Sequence, residues 1–521
     1  MSENINELLA SKEELFELSV EDALERIGVL TDLLFDAREI EPLRYLIGLS
    51  KSFKKEKELS EKQLVVLNYF IANMWSNIRV LSKDESEQWE WEQEEIEKEI
   101  IFLRRAMDRK GFDKTHEFRQ CQILTNLGNN FSHVGRFVGA LEYWNKALEI
   151  NNSFAMAIGN KGYGLIKYAQ SLYDDGHATV FFQYAYTQLK KAIESQDIHE
   201  NAKKGFQKSI NWLESILSEE CLKEEFELED YSLGDSEEEI NYREWCLEKR
   251  LFLNPLNDLG AFSIAGQDIL NLPNIVTGID EGPYYLGFFN QMKQEYVSAR
   301  YLYYEGIKAE ETHFSDKDVF LYDTLDYPEY SIGVEKIKAA YRMVYSLFDK
   351  IAYFLTEYFD LDIKTKVYFR NLWYWNEDYN NDLKEEFKKK TNWPLRGLFW
   401  LSKDLLSEEG FEEAIDPEAR KIATIRNHLE HKYLKMHVEL WRGETSKEKD
   451  YSLNLKDSLA YSLYRKVFES KTLKLIKLAR AALIYLSLAV HREEQVRGEE
   501  RDNDEIVAPA FLDEFDDKWK V

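Results

Sequence analysis

Apolar residues recur at three- and four-residue spacing along most of the chain, with polar residues filling the positions between. From Val334 to Phe359 the set Ile337, Ala340, Met343, Val344, Leu347, Ile351 and Leu355 makes one stripe, which predicts a long amphipathic helix. Pro394 opens a shorter helix over 394 to 408. Asp416-Pro417-Glu418-Ala419 opens a third, with an acid at the N-cap and Pro at the first position. Residues from Leu455 to about Arg497 predict a last helix, interrupted near Ser470-Lys471, and upstream 64 to 81 and 90 to 108 read as a helical pair. Only 8 prolines and 23 glycines break these patterns in 521 residues, so the expected fold class is all-α.

A longer regularity overlies the short one. Residues 121 to 154 match one tetratricopeptide (TPR) repeat: Leu124, Leu127, Gly128 and Phe131, then Gly135 and Phe137, then Ala140, Trp144 and Ala147, then Asn151-Asn152. Small Gly128 and Ala140 stand where two antiparallel helices come close. A second unit follows in register, with Gly162 34 residues after Gly128 and with Ala185, Leu189 and Ala192 on a helix delayed by a loop around Asp174-Asp175-Gly176. One repeat cannot bury its own faces, so the expectation is a TPR-like α-solenoid over residues 1–215.

Acids crowd together from Glu219 to Glu239, the mark of a solvated linker or exposed loop. That run opens a connector expected over 216–333. Within it, WCLEKRLFLNPLNDLG (245 to 260) is broken at Asn254-Pro255 and continues an apolar face through Leu256 and Leu259, as a segment docking two domains does. The tyrosine-rich stretches Tyr284-Tyr285 and Tyr301-Leu302-Tyr303-Tyr304 read as core and interface rather than base-stacking rings. A C-terminal four-helix bundle is expected over 334–497 and an acidic tail over 498–521, where FLDEFDDKWK suits a docking peptide or a frayed end.

Composition narrows the function. A formal net charge of −28 excludes broad coating of nucleic acid, so any RNA site must be local. Between Asp416 and Arg442, Arg420, Lys421, Arg426, Lys432, Lys435 and Arg442 oppose Asp416, Glu418, Glu430 and Glu439, a net of +2. Cys121, Cys221 and Cys246 form no CxxC or Cys/His pattern, which argues against disulfide frameworks and structural zinc. The N-terminus is acidic and already amphipathic, and no apolar run nears membrane-spanning length; a cytoplasmic location without membrane contact is expected.

The candidate chemistry lies in Ile425-Arg426-Asn427-His428-Leu429-Glu430-His431-Lys432-Tyr433. An arginine holds phosphate through a rigid fork of donors and a histidine moves protons near neutral pH, so Arg426 and His431 suit RNA cleavage without a metal. At about 100° per residue they stand roughly 140° apart on an ideal helix, whereas Asn427 and His431 share a face. Arg426 must therefore reach around or serve a partner subunit. Two plainer readings stand beside this one. Arg426 and Glu430 are spaced for a surface ion pair. His428, the secondary candidate, is spaced with His431 to share a metal, but no third ligand stands at useful spacing, so no metal or cofactor is expected. Lys432, Lys435, Lys474 and Lys477 are the candidate RNA-binding cations; Lys471, Lys474, Lys477 and Arg480 recur every three residues and either track an RNA backbone or form a solvated face.

Arg426-Asn427-x-x-x-His431 on the third helix of a C-terminal bundle resembles the signature of the HEPN superfamily. With the TPR-like half, WCLEKRLFLNPLNDL and WPLRGLFWLSKDL (393 to 405), most of the chain resembles the HEPN subfamily that carries TPR repeats ahead of its bundle. The resemblance implies a metal-independent endoribonuclease, acting as a homodimer through the bundle, in toxin, antiviral or stress responses. It implies His431 as acid/base, Arg426 as phosphate holder, and products with 2′,3′-cyclic phosphate and 5′-hydroxyl ends. The solenoid would then receive a protein or peptide trigger. The alternative is a non-catalytic adaptor that dimerises and binds protein or RNA.

Overall fold

The computed structural model describes residues 12–84, 87–223, 228, 230–278, 280–324, 326, 328–362, 366–375, 383–405, 416, 418–437, 457, 459–501, 507, 508, 510 and 512–520. Helices dominate. The N-terminal half is a succession of antiparallel helices: α1 (Val20–Asp36), α2 (Ile40–Glu56), α3 (Glu61–Ser82), α4 (Glu94–Met107), α5 (Glu117–His133), α6 (Phe137–Ile150), α7 (Ala155–Ala169), α8 (Asp175–Ile193) and α9 (Glu200–Ile216). Ser60 and Gln63 form a reciprocal capping box that starts α3, and α3 packs on α4 as the 64–81 and 90–108 pattern predicts.

The two repeat-like units are helix pairs α5–α6 and α7–α8. Gly128 lies directly under the Trp144 ring, and Gly162 is packed against Leu189, so a side chain at either position would collide with the paired helix. The loop expected around Asp174-Asp175-Gly176 is instead a helix start. The Asp174 carboxylate accepts the His177 N–H at 2.7 Å, and Asp175 and Gly176 lie inside α8.

The acidic run also departs from the linker expectation. Its described residues begin two helices, Glu219–Lys223 and α10 (Glu237–Lys249), the second capped by Ser236. Carboxylates in a first helical turn face the positive end of the helix dipole, which favours helix over loop. Arg250 ends α10 in the left-handed conformation at φ 57°. Residues 251–258 are then wholly buried, and Arg480 donates to Phe252 O at 2.6 Å, Asn254 O at 3.0 Å and Asp258 Oδ1 at 2.6 Å. Tyr168 of α7 donates to the other oxygen of Asp258 at 2.9 Å. The segment thus locks the repeat-like helices to the C-terminal helix.

The bundle contains α11 (Tyr284–Lys308), α12 (Ile332–Tyr358), α13 (Trp393–Ser402), α14 (Ala419–His431) and α15 (Arg465–Glu500). Helix α11 falls in the stretch expected as connector, yet it packs along α12 and α15, and Tyr303 and Tyr304 are buried against Trp245. All the stripe residues predicted on α12 are buried except Met343, which is half-buried. Pro417 and the segment 406–415 lie outside the described residues; Asp416 accepts the Glu418 N–H at 2.8 Å just ahead of α14.

Two strands correct the expected last helix. β1 (Tyr433–His437) pairs in parallel with β2 (Ala460–Tyr464), Tyr433 opposite Ala460 and His437 opposite Tyr464. Tyr464 is extended, and α15 begins only after it and runs unbroken through Ser470-Lys471. Thr472 bonds back to Phe468 O inside that helix. Among the described residues no helix is long and apolar enough to cross a membrane.

Both halves share one core. Trp400 Nε1 donates to Trp91 O at 3.0 Å, Trp393 Nε1 to Ser132 O at 3.0 Å, and Val138 N–H to Tyr485 Oη at 3.1 Å. Gly135, at φ 85°, touches the backbone of Trp393 and Gly397 so closely that a Cβ on either glycine would strike backbone atoms.

Candidate active site

Apolar burial and two hydrogen bonds from α12 fix helix α14 in place. Ile422, Ile425 and Leu429 are buried on one face toward the bundle, each contributing about 1.5–3 kcal/mol by leaving water. From α12, Tyr341 Oη donates to Ile422 O at 2.8 Å and Arg342 Nη2 to Leu429 O at 2.6 Å. The second bond satisfies a carbonyl that the helix end leaves open. His431 is the last helical residue, and Lys432 carries the chain straight into β1.

The structure brings Arg426 and Asn427 together and leaves His431 at the tip. Arg426 Nη1 donates to Asn427 Oδ1 at 3.2 Å, and its guanidinium lies 5.6 Å from the centre of the Tyr345 ring. Asn427 and His431 are exposed, while Arg426 is half-buried. The ion pair spaced between Arg426 and Glu430 does not form; Glu430 instead lies 3.7 Å from Arg342 Nε. His428 turns inward, its Nδ1 2.8 Å from Thr424 O and its ring 5.1 Å from that of Tyr461 on β2. Among the described residues, no group of three or more His, Cys, Asp and Glu side chains is placed to hold a metal.

Beside Arg426 lies a set of residues that spacing within the motif does not reveal. Tyr345 and Asp349 of α12 face it, with Arg370 close enough to act on both. Burial raises the Asp349 carboxyl above its ordinary value, an effect that the Phe369 N–H and the two arginines only partly offset. Burial likewise raises the Tyr345 phenol. A signal does exist in the sequence: Arg342, Tyr345 and Asp349, at i, i+3 and i+7, form a polar file beside the apolar stripe of α12.

Of the candidate RNA-binding cations, only Lys432 is exposed next to the motif. Lys435 is buried on β1, between Asp326 at 2.7 Å and Asp457 at 2.8 Å. The basic file on α15 meets carboxylates along its length. Lys471 and Lys474 bind Glu418, Lys474 also binds Asp416 at 2.7 Å, Lys477 lies 3.5 Å from Glu142, and Arg480 is buried on Asp258. Burial opposes ionisation of Glu418, but Lys474 and Lys471 hold its carboxyl down at about 2. These lysines tie α15 to the start of α14 and to α6.

Residues 276–493 match the family model described as LA2681-like HEPN. This stretch is a HEPN-family domain; it holds all five bundle helices apart from the end of α15, and it begins ahead of α11, in keeping with the place of that helix in the bundle. No curated protein and no solved structure matches the chain at a significant level.

Proposed function

We propose, with the HEPN-family domain as premise, that this protein is a metal-independent endoribonuclease whose catalytic residues are Arg426, Asn427 and His431. One observation supports it above the rest: Arg426 donates to Asn427 while His431 stands exposed one turn further on, all at the end of a helix held rigid from below. Phosphate bound to Arg426 would lie beside the Asn427 amide. His431 would take the proton from the ribose 2′-hydroxyl, or return one to the departing 5′ oxygen, as the 2′ oxygen bonds to phosphorus. A positioned proton-transfer group is worth about 10² to 10⁴ in rate. Because Arg426 turns toward Tyr345 and His431 toward solvent, each site would take Arg426 from one copy and His431 from a second copy. The TPR-like helices would serve as a docking and control region for a protein or peptide, in a defence or stress setting.

The test is cleavage of labelled RNA in EDTA by the full-length protein beside Arg426→Ala and His431→Ala. Cutting by the unaltered protein alone supports the reading. Equal inactivity of all three, with RNA or protein binding retained, favours the adaptor.

A further inference from the structure

Where α5 and α7 meet α13 and α15 lies a cavity of about 870 Å³, with no described residue of α14 in its lining. It falls within the range of small-molecule sites, roughly 300–1,000 Å³. Its lining inverts the character of the chain. Although 96 of the 521 residues are Asp or Glu, none of the described residues lining this cavity is acidic. Two cations do line it, Lys167 of α7 and Arg492 of α15.

Several other buried or half-buried cations are ion-paired, while buried Arg396 and Lys384 bond to backbone carbonyls. Arg104, Arg136, Arg300, Arg480, Lys471 and Lys474 all meet carboxylates. Lys167 instead lies 5.7 Å from the centre of the Tyr163 ring, and Arg492 donates to the Gln495 amide at 3.2 Å. Neither is in an ion pair with a described residue. A half-buried cation without a counter-charge is a standing attraction for an anion.

The rest of the wall is aromatic and amide. Trp89 is 55% exposed and stacked on His133 with ring centres 5.6 Å apart, Tyr163 is 46% exposed, and Trp393 is half-buried. Asn160 and Gln170 add donors and acceptors able to meet the edge of a heterocycle. Inorganic phosphate would leave the rings unused, and an acidic peptide has no need of them. Flat rings, amides and two unpaired cations together fit a heteroaromatic base joined to a phosphate.

We propose that this junction cavity binds a nucleoside phosphate, its base among the Trp89, Tyr163 and Trp393 rings and its phosphate on Lys167 and Arg492. Because the walls come from both halves, the ligand bridges the repeat-like helices and α15.

Calorimetry and tryptophan quenching on the full-length protein test this without any cleavage readout. The probes are AMP, ATP, adenosine, inorganic phosphate, a 5′-phosphorylated oligodeoxynucleotide with its 5′-hydroxyl counterpart, and an acidic peptide. AMP or ATP is expected to bind at least tenfold tighter than adenosine or phosphate, with Lys167→Gln and Arg492→Gln each weakening it at least tenfold. Tyr163→Ala, at an exposed position, provides a third variant should either of those unfold. Tighter binding of the phosphorylated oligonucleotide than of AMP identifies a strand end as the source, and the reverse identifies a free nucleotide. The proposal is overturned if no nucleoside phosphate saturates the protein by about 1 mM, if the folded variants bind as the parent does, or if the acidic peptide binds in preference.

Discussion

Arg104 of α4 closes a two-bonded fork on Asp404, just beyond α13, with Nη1–Oδ1 at 2.7 Å and Nη2–Oδ2 at 2.9 Å, across 300 residues of sequence. Arg136 adds a third bond at 2.6 Å, and all three side chains are buried. Removing this carboxylate strands two buried guanidinium groups. Asp404→Asn is therefore expected to cost about 3–5 kcal/mol in urea unfolding. Burial opposes the Asp404 charge, but the two arginines hold its carboxyl well below the usual range. A carboxyl lowered in the folded state stabilises fully above its unfolded value, about 3.9, and loses that effect as pH falls toward the folded value. The stability gap between parent and Asp404→Asn should thus be flat from pH 7 to 5 and shrink below about pH 4.

Lys432 and Lys435 are three residues apart and are expected to behave differently toward RNA. Lys432→Ala should reduce the slope of log affinity against log salt by roughly one, the share of a single phosphate contact. Lys435→Ala should leave that slope unchanged and lower the melting temperature instead, since it strips the counter-charge from Asp326 and Asp457. Filter binding across a salt series, with thermal melts of both variants, checks the pair.

The Tyr345 ring under the Arg426 guanidinium predicts a graded series. Tyr345→Phe keeps the ring face and should keep RNA cleavage within a few-fold of the parent, while Tyr345→Ala should lose about tenfold. Equal activity of Tyr345→Ala and the parent would show that the ring does not position Arg426.

Periodic burial was the part of the fold that the sequence declared best. The stripe of α12, the close Gly128–Trp144 approach and the docking role of residues 251–258 all follow from spacing or from a helix break. The candidate site was legible only as a motif on one helix. What spacing left unread was pairing between distant segments. Lys435 and the α15 lysines look like a basic surface until Asp326, Asp457, Asp416, Glu418 and Glu142 are placed against them. The five residues of β2, Ala460–Tyr464, fit the start of a helix as well as a strand, because so short a run does not separate the two when the partner strand is unknown. Tyr345, Asp349 and Arg370 come from another helix and a turn, so no local pattern on α14 contains them.

Mixed subunits test whether two copies build each site. Arg426→Ala and His431→Ala, each inactive alone, are expected to regain roughly a quarter of the parent activity when combined, because half the dimers are mixed and each has one of its two sites intact. No recovery, in a preparation where mass spectrometry shows mixed dimers, would place Arg426 and His431 of one site in the same copy.

The most direct measurement is the chemistry of the ends left on RNA cut by the full-length protein in EDTA. The account predicts fragments ending in 2′,3′-cyclic phosphate and beginning with 5′-hydroxyl, lost in both His431→Ala and Arg426→Ala. Fragments with 3′-hydroxyl and 5′-phosphate ends, or cutting that persists in either variant, would contradict it.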